Sequence, residues 1–321
     1  IRCMISWRKS STISLNPSCI SETSMSREKP SSQLRENISS LLKLKGLEEE
    51  KIVELIGDLP NRWEKFDDIA LIPNSSFRKE HWKPIISDEF WIKICQSLNV
   101  ERLARSGEII GEKRESTVEM LVGEDDWVIR KESGIKYGYH IKQCMFSSGN
   151  INERRRMGEV VSENEVVVDL FCGIGYYTIP ILVKNNAKHV YSCEWNINSI
   201  NALKYNLENN NVEKKCTIIE GDNRETTDNL ENIADRVLLG LLPTAEESYH
   251  VALKCIKEEG GILHIHGLAP SNNHEKFLLE TSEKLQKIDY NYIITNYKIN
   301  KIKSYAPHWD HLVLDIQIGK K

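Results

Sequence analysis

From residue 166 onward, short apolar runs alternate with amphipathic stretches. Val166, Val167 and Val168 form a continuous apolar run of the kind buried on both faces of a parallel sheet. Further strand-like runs fall at 189–194, 216–220, 234–239 and 261–266. Between them, 178–184, 198–209 and 246–256 repeat apolar residues at helical spacing, with Ile200, Leu203 and Leu207 marking the middle one. Residues 292–297 and 312–316 read as a closing strand pair, with 303–311 as the polar loop joining them. This alternation predicts an α/β, doubly wound sheet with right-handed crossovers and an antiparallel edge.

The first half has a different rhythm. Apolar residues recur at helical spacing over 34–56, broken near Gly46. A short strand is expected at 69–72 and a helix at 88–98. Strand candidates follow at 118–122, 127–130 and 135–139, separated by Gly- and acid-rich turns. Residues 31–143 therefore predict a small α+β domain without a catalytic constellation of its own, ahead of a catalytic domain at 144–321. Residues 1–30 are Ser-rich and read as a disordered tail, with Arg2, Arg8 and Lys9 giving a faint transit-peptide flavour.

Composition narrows the partners. The chain has 321 residues, 40% hydrophobic and 28% charged, with a formal net charge of -4. A nucleic-acid site must therefore be a local patch. The eight cysteines form no Cys-x-x-Cys pair. That favours a reducing, cytoplasmic setting over a zinc site or disulfide scaffold. No apolar run is long enough to span a bilayer. The expectation is no metal, no membrane and a monomer.

The chemistry gathers after the first valine run, in Asp169-Leu170-Phe171-Cys172-Gly173-Ile174-Gly175. Asp169 ends the strand, and the two glycines allow a sharp turn and a close ligand approach. This form resembles the first motif of class I S-adenosylmethionine (SAM) enzymes. A dinucleotide site would more often place a third glycine where Thr178 stands. Glu194 ends the second strand, where an acid can accept from two ribose hydroxyls. Asp222 and Asn223 end the third, where either can read an adenine edge. Trp195 could stack on adenine or cover the sheet edge. The segment from Ser147 to Arg156 carries three successive arginines. It reads as an exposed basic turn or as an anchor for a carboxylate or phosphate. His264 and His266 share one strand face and read as packing residues. His308 and His311 either contact substrate or serve structure.

Four blocks in order resemble the eukaryotic tRNA wybutosine-synthesizing protein 2 family, related to the tRNA guanosine-37 methyltransferases. They run from Met145 to Arg154, Asp169 to Tyr176, Cys193 to Asn196 and Gly221 to Arg224. Residues 234–243 and 303–308 complete the likeness, which covers about 60–321. The resemblance implies a Rossmann-like SAM domain behind a small N-terminal domain with a possible tRNA-binding role. It implies transfer of the 3-amino-3-carboxypropyl group of SAM, as co-substrate, to C7 of a tricyclic guanosine derivative at position 37 of tRNA(Phe). Ser147, Arg154, Glu194, Asp222 and Asn223 are the implied SAM contacts, joined by Asp169 and Gly173 of the glycine turn. Arg154 or a neighbouring arginine is expected to hold the SAM carboxylate. No general base stands out, so catalysis is expected to be mostly positioning. The main alternative is a guanosine-37 methyltransferase. Gly240-Leu241-Leu242-Pro243 argues against it, because it lacks the polar first residue that holds an amine nucleophile. Small-molecule methyltransferases and NAD-dependent dehydrogenases fit less well.

Overall fold

The computed structural model describes residues 30–111, 114–184 and 187–320. The tail expected at 1–30 lies almost wholly outside the described residues. Two helices, α1 (Pro30–Leu44) and α2 (Glu49–Gly57), meet at Gly46, whose φ of +76° suits glycine. The helix α3 (Asp88–Leu98) is capped by the Ser87 hydroxyl, which accepts from the Phe90 N–H at 3.3 Å. These helices bury Leu34, Ile38, Leu55, Phe90 and Ile94 against a four-stranded sheet. That sheet runs β1 (Glu64–Phe66), β2 (Ile69–Ile72), β3 (Arg102–Arg105) and, beyond two short strands β4 (Ile109–Ile110) and β5 (Glu115–Ser116), β6 (Glu119–Val122). A hairpin follows, β7 (Trp127–Glu132) and β8 (Ile135–His140). Its Val128, Tyr137 and Tyr139 share a core with Val167, Ile181 and Leu203 of the second half, so the halves are packed together.

The second half enters through α4 (Ile151–Val160) and then alternates. The order is β9 (Val166–Asp169), α5 (Thr178–Val183), β10 (His189–Glu194), α6 (Ile197–Asn209), β11 (Cys216–Glu220), α7 (Asn223–Thr226), β12 (Arg236–Leu239), α8 (Tyr249–Cys255), β13 (Gly261–Pro270), α9 (Glu275–Ile288), β14 (Tyr292–Ala306) and β15 (Trp309–Lys320). The sheet order is β11-β10-β9-β12-β13-β15-β14. The first five strands are parallel, and β15 runs antiparallel to both β13 and β14. Val167 and Val168 are fully buried, as a strand covered by helices on both faces requires. Strand order reverses direction between β9 and β12, and the carboxyl ends there open the crevice where such sheets bind ligands.

One sequence expectation changes here, and one helix had no expectation. The polar loop expected at 303–311 is mostly strand: β14 runs to Ala306, β15 begins at Trp309, and His308 takes the turn with φ +65°. For 303–306 the reason is the edge position of β14, where exposed polar residues hide the alternation, while in the interior strand β15 the start is marked by the buried polar residues Asp310 and His311. The helix α9 carried no clear sequence signal, because only Leu278, Thr281 and Leu285 of its 14 residues are buried.

Candidate active site

The cavity at the carboxyl ends of β9, β10, β11 and β12 has a volume of about 970 Å³. That is enough for a nucleoside together with part of a second substrate. Its floor is the turn after β9. Gly175 has φ +96°, and a Cβ there would lie 2.6 Å from Ile179 Cγ1 and 2.9 Å from Leu203 Cδ1. The turn is thus pressed onto α5 and α6, and a side chain would push it into the cavity.

Glu194 organises this floor. Its Oε2 accepts the Gly173 N–H at 2.9 Å, and its Oε1 accepts the N–H groups of Trp195 at 3.0 Å and Asn196 at 2.8 Å. Burial raises its pKa, and the three backbone donors oppose that rise. Each carboxylate oxygen has two acceptor sites, so Oε2 retains capacity for a ligand hydroxyl. Asp222 caps α7 by accepting the Arg224 N–H at 2.9 Å and pairs with the Arg224 guanidinium, which holds its carboxyl below the usual range.

The sequence-expected residues divide by position. Ser147, Arg154, Gly173, Glu194, Asp222 and Asn223 all line the cavity. Asp169 is not a lining residue. It is fully buried behind the turn, where it accepts the Thr178 hydroxyl at 2.9 Å, and burial pushes its pKa up to about 7. Asn223 lines the cavity with its side chain occupied. Its Nδ2 donates to the Leu170 carbonyl at 2.9 Å, and its Oδ1 accepts the Ser248 hydroxyl at 2.8 Å. Arg154 is 2% exposed, and its guanidinium forms two 2.6 Å bonds to Glu132 of the β7–β8 hairpin. Nη1 donates to the Ser147 carbonyl at 2.8 Å, and the group stacks 4.4 Å over Phe146. Arg156 is held by Glu153 and Asp315, and Arg155 lies on the surface. The three arginines thus have three different environments.

Two features, Lys303 and Arg114, were not singled out from sequence, and a third, a histidine pair, was read there only residue by residue. Lys303 reaches the cavity from β14 and donates to Ser147 Oγ at 3.0 Å. Arg114 lines the cavity and donates to the Leu242 carbonyl. His266 and His311 pair on the cavity wall, Nδ1 to Nε2, at 3.0 Å. Both are 1% exposed, and burial lowers both pKa values, that of His311 to about 4. Among the described residues, His266 Nε2 and His311 Nδ1 have no partner. The sequence reading took His266 as a packing residue and His311 as either a substrate contact or a structural residue, and the structure places both on the cavity wall. His264 instead bridges Arg236 and Asp315, at 2.6 Å each.

Away from the cavity, Asp125, Asp126 and His140 lie close together. Asp126 is occupied by the His140 ring and the Lys142 N–H, and Asp125 by Arg102. Among the described residues, no helix is long and apolar enough to cross a membrane.

The family model described as the TRM5/TYW2 methyltransferase domain matches residues 128–293, and the TYW2 N-terminal domain matches 44–126. A relative from Arabidopsis thaliana, "tRNA wybutosine-synthesizing protein 2/3/4", is 44% identical over 293 residues, covering 90% of this chain and 29% of the relative. The chain thus spans under a third of that plant protein's length. The human "tRNA wybutosine-synthesizing protein 2 homolog" is 34% identical over 319 residues, covering 82% of this chain and 70% of the relative. The crystal structure of P. horikoshii TYW2 in complex with MeSAdo superposes with a TM-score of 0.74 at 32% identity, covering 91% of this chain and 100% of that one. Matched across both halves, the chain belongs to the tRNA wybutosine-synthesizing protein 2 family within the TRM5/TYW2 group.

Proposed function

We propose that this protein is a SAM-dependent tRNA aminocarboxypropyltransferase. It transfers the 3-amino-3-carboxypropyl group of SAM to C7 of the tricyclic guanosine derivative at position 37 of tRNA(Phe) and releases methylthioadenosine. The observation that carries the reading is the cavity itself: Glu194 and Asp222 stand at the ends of adjacent strands beside the glycine turn, and the apolar Gly240–Pro243 segment faces them. Strand-end carboxylates suit ribose hydroxyls, and Phe171, Trp195 and Leu241 offer apolar surface for a purine. Support comes also from the family, in which the P. horikoshii relative was crystallised with MeSAdo, the thioether nucleoside this transfer leaves behind.

The sulfonium of SAM activates three carbons, and the one attacked is the one held facing the nucleophile. This chain's task is therefore to hold the ligand in one pose. Glu194 ties the ribose position to the Gly173 turn, because one carboxylate serves both. Asn223 braces the Leu170 carbonyl against Ser248 and so fixes the wall between β9 and β12. Arg154 sets the Ser147 segment through its carbonyl and binds it to the β7–β8 hairpin. After Gly240, the wall presents Leu241 and Leu242 with no side-chain amide, which suits a carbon nucleophile better than an exocyclic or ring amine.

The guanosine-37 N1-methyltransferase reading differs in the carbon transferred, and the nucleoside by-product separates them. Chromatography after incubation with SAM and precursor-bearing tRNA is expected to show methylthioadenosine. S-adenosylhomocysteine in its place would refute the aminocarboxypropyl reading.

A further inference from the structure

The cavity contains a cation that no carboxylate among the described residues neutralises. Lys303 is half-buried on β14, beside the Ser147 segment. Its ammonium lies 3.1 Å from where a Cβ on Gly149 would sit, so the absence of a side chain there makes room for it. One of its three donors goes to Ser147 Oγ. Among the described residues, no carboxylate lies within ion-pairing distance of it, whereas the neighbouring Lys301 pairs with Asp310 at 2.8 Å. The arginines close by are committed: Arg154 to Glu132 and Arg156 to Glu153 and Asp315. Arg154 adds positive charge next to Lys303 without supplying it a partner, and burial together with that charge lowers the Lys303 pKa. A partly desolvated ammonium with unused donors, facing a ligand cavity, lacks an anion.

We propose that Lys303 Nζ, with Ser147 Oγ beside it, receives the α-carboxylate of the SAM aminocarboxypropyl arm. The assignment rests on the function proposed above and moves the carboxylate role from Arg154 to Lys303. The cation sits on the edge strand β14, with β9, β12, β13 and β15 between it and the Glu194 strand β10 in the sheet order. A ligand held at both ends is stretched between them, and this sets which sulfonium carbon faces the acceptor base. Arg154 then acts as a positioning residue that fixes Ser147.

The test is calorimetric binding of three ligands to the full chain and to Lys303→Met. SAM carries the carboxylate, decarboxylated SAM lacks only that group, and methylthioadenosine lacks the whole arm. The unsubstituted protein is expected to prefer SAM over decarboxylated SAM by roughly 10- to 100-fold, the range for a charge-assisted hydrogen bond. Lys303→Met is expected to erase that preference and leave methylthioadenosine affinity unchanged. Equal weakening of SAM and methylthioadenosine would overturn the assignment, since it would report a general structural role. An unchanged SAM preference, with weakened tRNA binding and a shallower salt dependence, would overturn it too and make the anion an RNA phosphate. Failure of the unsubstituted protein to bind either SAM or methylthioadenosine would instead remove the reading on which the assignment rests.

Discussion

Glu132→Gln tests the physical account where the two halves meet. Glu132 and Arg154 form a bidentate pair at 2.6 Å on both bonds, with side chains 9% and 2% exposed. Removing the carboxylate's charge leaves a guanidinium desolvated without its counter-charge. Breaking a buried pair from one side costs about 3–5 kcal/mol, far more than the pair contributes relative to an apolar replacement. The glutamine retains one acceptor, so the expected loss lies near the lower end, about 3 kcal/mol. The stacking of Arg154 on Phe146 remains and the Ser147 carbonyl contact is loosened. Equilibrium urea unfolding of Glu132→Gln, of Glu132→Leu and Arg154→Met singly, and of the double variant Glu132→Leu/Arg154→Met reads this out. The double variant is expected to be more stable than either single one, because it buries no unpaired charge. A Glu132→Gln loss under about 1 kcal/mol, or a double variant that simply sums the single losses, would show that water screens the pair and refute the reasoning.

Other consequences follow from the same structure. Gly175→Ala forces a Cβ at φ +96° to within 2.6 Å of Ile179 and is expected to cost about 1–3 kcal/mol and to abolish SAM binding by calorimetry. His311 has a folded pKa of about 4 against about 6.5 unfolded, so the unfolded chain takes up its proton first as pH falls. Stability is therefore lost from about pH 6.5 down to about pH 4, by at most about 3 kcal/mol from this residue. His311→Asn is expected to flatten that limb in urea titrations across the window; an unchanged slope would contradict the burial argument. Asn223→Leu strands the Leu170 carbonyl and Ser248 hydroxyl, and a loss of about 2 kcal/mol with weakened methylthioadenosine binding is expected.

The parts legible in the sequence were those set by local pattern. The valine run, the glycine turn and the strand-end acids Glu194 and Asp222 each carry their own signal, because parallel strands buried on both faces read as apolar runs that end at the ligand side. Positions set by distant partners were not legible. Arg154 reads as a free cation until the β7–β8 hairpin places Glu132 against it. Asp169 reads as a strand-end ligand like Glu194, yet the turn folds over it and points Thr178 at its carboxylate. Lys303, and the pairing of His311 with His266, were hidden for a different reason. The end of β14 lies on the exposed sheet edge and is polar, so strand read as loop there, and only the pairing of β15 with β13 places His311 beside His266 on the cavity wall.

The most direct measurement is mass spectrometry of the position-37 nucleoside of tRNA(Phe) bearing the tricyclic precursor, after incubation with this protein and SAM. The account predicts a mass gain matching one 3-amino-3-carboxypropyl group. A gain of a single methyl would contradict it and assign the protein to guanosine-37 methylation.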